Sequence, residues 1–171
     1  MQHGNSRALT VATYNIHKGF SHFNRRMVVH DMRERLRMMG ADIMFLQEVV
    51  GHNARHVENH ESWPEAPQHE FFAEANWPAS AYAKNSIYVD GHHGNAILSR
   101  YPMIRCDHED ISTNRIEKRG LLHAELKCQD GPKTCTACAC TWVCSGARDV
   151  NRLTSCVPAL RRWCRRVRRW C

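Results

Sequence analysis

A carboxylate beside a carboxamide suits a hard, oxygen-loving cation with a phosphate, and this chain carries one of each beside an apolar run. Asn15 closes the stretch that begins Ala8-Leu-Thr-Val-Ala-Thr-Tyr, and Glu48 stands among the apolar residues of Ala41-Asp-Ile-Met-Phe-Leu-Gln-Glu-Val-Val. Glu48 would hold Mg²⁺, which takes only one or two carboxylates and keeps several waters. Asn15 would hydrogen-bond a phosphate oxygen or orient a nucleophile. Taken alone, Glu48 reads as a solvated residue at a strand exit, and its neighbours shift that reading. Asn95, after His92-His93-Gly94, either orders such a site by hydrogen bonding, as a contact to the substrate phosphate, or forms a turn. Arg119, in Glu117-Lys118-Arg119-Gly120, either clamps a phosphate bidentately or belongs to a plain charged turn. His92 and His93 read as solvent-facing loop residues.

The elements around these residues decide whether they can meet. Ala8 to Ile16 is β-branched and aromatic with alternating faces, which predicts a strand. Asn24 can cap a helix running to about Met39, with Val28, Met32, Leu36 and Met39 at helical spacing and Gly40 at the exit. Ala41 to Val50 is too short for a typical helix and predicts a buried strand with Glu48 at its end. A right-handed crossover makes the two strands parallel and brings Asn15 and Glu48 to one edge of a sheet. His52 to Pro78 scatters His, Trp and Pro and predicts a long surface loop with a short helix near Glu70 to Ala75. Gly94 to Arg100, Met103 to Ile111 and Leu121 to Leu126 predict further strands. The whole reads as an α/β layered domain whose sheet is incomplete.

Composition divides the chain of 171 residues in two. From Thr134 to Cys171 there are eight Arg and one Asp, which is the entire net charge of +7, so residues 1 to 133 sum to zero. Seven of the nine cysteines fall in the same tail, which has no Lys, Glu or His. The neutral body argues against strong non-specific DNA binding, which relies on clustered cations. No leader-like stretch and no apolar run of bilayer length stands out, so the expectation is a cytoplasmic protein without a transmembrane segment. Oligomeric state leaves no sequence signal.

Four blocks together resemble the endonuclease/exonuclease/phosphatase superfamily, and uncharacterised bacterial members in particular. They are Val11-Ala-Thr-Tyr-Asn15-Ile-His-Lys-Gly19, Asp42-Ile-Met-Phe-Leu-Gln47-Glu48-Val49, Gly91-His-His-Gly-Asn95-Ala-Ile-Leu-Ser99-Arg-Tyr-Pro102 and Lys118-Arg-Gly-Leu-Leu122. The resemblance covers residues 8–128 and implies a four-layer α/β sandwich, here truncated to about its first half. It also implies hydrolysis of a phosphodiester with Mg²⁺ (or Mn²⁺), the substrate being nucleic acid, a phospholipid head group or a small phosphoester such as an inositol phosphate. It carries Asn15 over as the active-site Asn and Glu48 as the metal-binding Glu, with Arg119 as a phosphate contact.

The family's later blocks, a His-Leu, an Asp-x-Asn and a terminal Asp-His, are missing from 134–171. Regrouping the codons of Thr134 to Cys144 from their third bases gives a string compatible with Val-His-x-Met-Cys-Val-His-Leu-Gly-Leu-Phe, which restores a His-Leu block where the family expects one. A reading-frame slip near Thr134 therefore accounts for the missing His and acidic residues and for the Cys/Arg excess together. On this reading 134–171 is an out-of-frame, poorly ordered tail. The competing reading is a non-enzymatic protein that uses Cys135, Cys138, Cys140 and Cys144 for zinc, or the Arg/Trp ending for nucleic acid.

Overall fold

A computed structural model describes residues 9–21, 26–112, 118–127 and 134–140 of the chain. β1 (Val11–Asn15) leads through a one-turn 3₁₀ segment (His17–Gly19) to α1 (Val29–Met38) and back to β2 (Ile43–Asn53). α2 (Ala54–Asn59), α3 (Gln68–Ala73), β3 (Ala79–Tyr88) and β4 (Gly91–Ser99) follow. β5 (Met103–Asp110), β6 (Gly120–Lys127) and β7 (Thr134–Cys140) complete the order.

Two sheets result, one in the order β1-β2-β4-β3 and one in the order β5-β6-β7. β1 and β2 are parallel, as a strand-helix-strand crossover requires, with Val11 opposite Ile43 and Asn15 opposite Gln47. β4 runs antiparallel to both β2 and β3. One face of the first sheet packs on the helices through Met44, Leu46, Ala96 and Leu98 against Val29, Leu36 and Phe72. The other face meets the second sheet through Ile43, Ala81 and Ile97 against Leu122, Ala124 and Leu126. The described residues thus form helix, sheet and sheet layers. A fully buried Phe72 or Leu98 contributes about 1.5–3 kcal/mol.

Polar ties hold the far end of the first sheet. Asp42, 4 % exposed, accepts from the Thr10 N–H at 2.9 Å and faces Arg100 at 3.4 Å. Trp77, buried against the helix face, donates its indole N–H to the Ala41 carbonyl at 3.0 Å. Among the described residues no helix is long and apolar enough to cross a membrane.

Several elements differ from the sequence reading. α1 starts at Val29 and buries Val29, Met32 and Leu36, while Met39 is 48 % exposed; the Asn24 cap lies outside the described residues. Gly40, at φ +64°, makes the expected helix exit. β2 continues past Val50 to Asn53, whose side chain accepts from the His56 N–H at 3.0 Å and caps α2, so the expected loop from His52 is shortened at its start. β3 is a strand that propensity hides, because its inward residues Ala81 and Ala83 are small and Ser80, Lys84 and Ser86 break up any apolar alternation. His92 and His93 are strand residues of β4, and Asn95 lies inside that strand rather than at its start. Gly94 permits this pairing, since a Cβ there would run into the Ala83 carbonyl. The domain also continues beyond 128: residues 134–140 form β7 beside β6, with Thr134 opposite Lys127 and Cys140 opposite Leu121. A main-chain ladder accepts small Thr, Ala and Cys residues that propose no strand by hydrophobic alternation. The remainder of the Cys/Arg tail lies outside the described residues.

Candidate active site

Asn15 is the last residue of β1, and the chain leaves it through two residues of positive φ, His17 at +45° and Lys18 at +59°. Its side-chain oxygen accepts from the His17 N–H at 2.9 Å, closing the turn, so its amide nitrogen points outward. That nitrogen donates to Glu48 Oε1 at 2.8 Å. Glu48 is not at a strand end. It occupies an irregularity in the β2–β4 pairing between Leu46 and Val49, with φ +54°. A carboxylate residue in the left-handed region is uncommon and costs about 1–3 kcal/mol, a strain of the kind that collects at functional positions. The bulge turns Glu48 out of the pleat toward Asn15 while Val49 returns to the core.

Glu48 Oε2 has His17 Nδ1 at 3.7 Å, beyond hydrogen-bond length, and the Glu48 side chain keeps 30 % exposure. One carboxylate oxygen is therefore fixed by Asn15, while the side chain as a whole stays partly open to solvent. Lys18 and Glu48 both act electrostatically on His93, whose pKa falls below the ordinary imidazole value, first through burial and then through Lys18. His93 Nδ1 is buried without a hydrogen-bond partner. On the opposite face of β4, His92 Nδ1 lies 3.0 Å from the Tyr82 hydroxyl, and His69 stacks on the Tyr82 ring. Burial raises the Tyr82 pKa and lowers those of His92 and His69.

Asn15 and Glu48 therefore meet directly, and Asn95 lies on β4 across from the irregularity that carries Glu48. Asn95 is wholly buried, and its amide donates to the Gly120 carbonyl at 3.0 Å, tying β4 of the first sheet to β6 of the second. Arg119, next to that carbonyl, is 8 % exposed, and its backbone N–H donates to Ser112 Oγ at 2.9 Å. Three neighbours of the pair escape sequence reasoning: His17, His93 and Gln68. His17 stands there only within the first family block, and the position of Gln68 depends on a loop whose path no local pattern reveals. Gln68, at the start of α3, is 1 % exposed.

Comparison with known proteins bears on this arrangement. A profile of the Endonuclease/Exonuclease/phosphatase family matches residues 12–171. The chain belongs to that family. A relative in Escherichia coli strain K12, the uncharacterized protein YbhP, is 42 % identical over 142 residues, which is 83 % of this chain and 55 % of the relative. The YbhP protein of Shigella flexneri matches to the same extent. This family member thus spans about half the length of the curated relatives it matches.

Solved structures show the same fold. An endonuclease/exonuclease/phosphatase from Beutenbergia cavernae superposes with a TM-score of 0.64 at 17 % identity, over 81 % of this chain and 39 % of that one. A family protein from Bacteroides thetaiotaomicron gives 0.58 at 15 % identity, over 91 % and 57 %. TDP2 of D. rerio, solved with a single-strand DNA product, gives 0.54 at 13 % identity, over 94 % and 54 %. The architecture is the endonuclease/exonuclease/phosphatase α/β sandwich in part, with 39 to 57 % of each of these solved chains covered.

Proposed function

We propose that this chain is the first part of a metal-dependent phosphodiester hydrolase and that Asn15 and Glu48 form part of its active site. The observation that supports this most directly is the 2.8 Å Asn15–Glu48 hydrogen bond, made by a Glu held at positive φ. Family membership supports the reaction class. The donor chemistry suits Mg²⁺ or Mn²⁺: Glu48 has a second carboxylate oxygen besides the one bonded to Asn15, its side chain is partly exposed, and such ions need only one or two carboxylates. Among the described residues no group of three or more His, Cys, Asp and Glu side chains comes together, so water, substrate or the rest of the domain would complete the ligand set. A divalent ion, when bound, polarises a phosphoryl oxygen and offsets developing charge.

The residues of the chain then have separate tasks. Asn15 holds Glu48 at a fixed angle through its amide nitrogen, and its turn with His17 holds Asn15 in place. His17, 59 % exposed beside Glu48, meets incoming phosphate oxygens from the solvent side. Asn95 acts by joining the sheets, which places the Arg119 segment relative to β4. Arg119 remains the phosphate contact in this proposal. The scissile bond belongs to a nucleic acid, a phospholipid head group or a small phosphoester.

The test is repair of the reading frame near Thr134. The chain as written is expected to show no appreciable phosphodiesterase activity, because losing even one preorganised catalytic group costs on the order of 10²-fold or more. The frame-restored protein should hydrolyse a generic phosphodiester with Mg²⁺, and Glu48→Gln should remove most of that activity. Activity indifferent to Glu48, or a requirement for the cysteines, would place the site elsewhere.

A further inference from the structure

The two backbone distortions that carry Asn15 and Glu48 belong to different strands, yet one side chain spans both. Gln68 Nε2 donates to the Lys18 carbonyl at 2.8 Å, and Gln68 Oε1 accepts from the Val50 N–H at 2.8 Å. The carbonyl can only accept and the N–H can only donate, so these two partners fix which end of the amide is which. Lys18 is the second positive-φ residue of the turn after Asn15, and Val50 lies two residues beyond Glu48, in the short paired stretch between two irregularities of β2 against β4. Gly19 allows the approach: at φ +86° a Cβ there would sit 2.5 Å from Gln68 Nε2.

We infer that Gln68 is a positioning residue for the Asn15–Glu48 pair, an inference that rests on the proposed role of that pair. Gln68 touches neither side chain. It ties the turn that orients Asn15 to the strand segment that follows Glu48, so the separation of the two functional groups follows the length of one buried amide. A side chain of similar length that cannot hydrogen-bond leaves the Lys18 carbonyl and the Val50 N–H without their partner and frees the turn to move relative to the bulge. A carboxylate in its place can still accept from Val50 but cannot donate to Lys18.

The test uses the full 171-residue chain, with the Asn15 side-chain amide resonance in ¹⁵N spectra and Mn²⁺ binding followed by water-proton relaxation. Gln68→Met and Gln68→Glu are compared with Trp77→Phe, which breaks a buried hydrogen bond of similar length at the far end of β2, to the Ala41 carbonyl. Both Gln68 variants should shift the Asn15 amide resonance and weaken Mn²⁺ binding by about tenfold or more, the usual effect of removing a group that orients a ligand. Trp77→Phe should lower the melting temperature and leave both readouts near wild type. An Asn15 resonance unmoved in either folded Gln68 variant, or moved equally by Trp77→Phe, overturns the inference. If the wild type fails to bind Mn²⁺ while the Gln68 variants still shift the Asn15 resonance, positioning stands and the metal reading falls.

Discussion

Asn15 and Glu48 act as one unit, because the amide of the first is bonded to the carboxylate of the second. Removing either partner disturbs the other, so the two substitutions should not add. In the frame-restored protein, Asn15→Ala and Glu48→Gln are each expected to weaken Mn²⁺ binding, and the double variant to be little worse than Glu48→Gln alone. Isothermal titration of the four proteins measures this coupling directly, and additive losses would show two independent groups. Asn15 had been expected to serve phosphate separately from the metal ligand; the hydrogen bond makes that division incomplete. The pair was legible because both residues flank strongly apolar runs. Gln68 was not, since an isolated Gln in a loop rich in His, Trp and Pro carries no periodicity, and its importance comes from partners 50 and 18 residues away. Gly19 is a second hidden requirement. Gly19→Ala would combine positive φ with a collision against Gln68, and a loss of more than about 1 kcal/mol is expected in urea melts.

At the scale of elements, the irregularity in β2 lets one strand serve both the core and the site. Val49 and Val50 stay buried while Glu48 leaves the pleat between Leu46 and Val49. This conformation opposes the usual preference of a carboxylate residue, which suggests a separation of stability from function. Glu48→Gly accepts φ +54° without strain, whereas Glu48→Val is β-branched and resists it. The glycine variant should therefore be the more stable by about 1–3 kcal/mol in chemical denaturation, although both lose the carboxylate. Equal midpoints would mean that the left-handed geometry relaxes on substitution. The strands easiest to foresee, β1, β2 and β6, have large alternating or continuous apolar residues. β3 escaped notice because Ala81 and Ala83 bury little surface each, and the first half of β4 because Gly91-His-His-Gly resembles a turn. The start of β7 was likewise hidden: its small residues join the ladder through the main chain.

The molecule as a whole is set against acid. His56, His69, His92, His93 and His123 are all held below the ordinary 6.5, in each case first by burial. The unfolded chain binds protons more readily at these positions, so stability rises with pH wherever they titrate. Their contribution is complete above about pH 6.5 and is lost as the pH falls through the lower native values. Urea midpoints at pH 5 should lie below those at pH 7.5, and a level profile would contradict this. The first sheet has a further consequence in concentrated solution. β1 is its edge among the described residues, and Leu9, Val11 and Tyr14 are 47, 50 and 42 % exposed there. An open ladder beside apolar side chains is a template on which other chains can nucleate. Light scattering of the full chain should therefore climb with protein concentration, and a single Lys at Val11 should flatten that rise with little change in melting temperature. The strand that presents Asn15 is thus also, in colloidal terms, the edge at which this prediction puts the first contact between molecules.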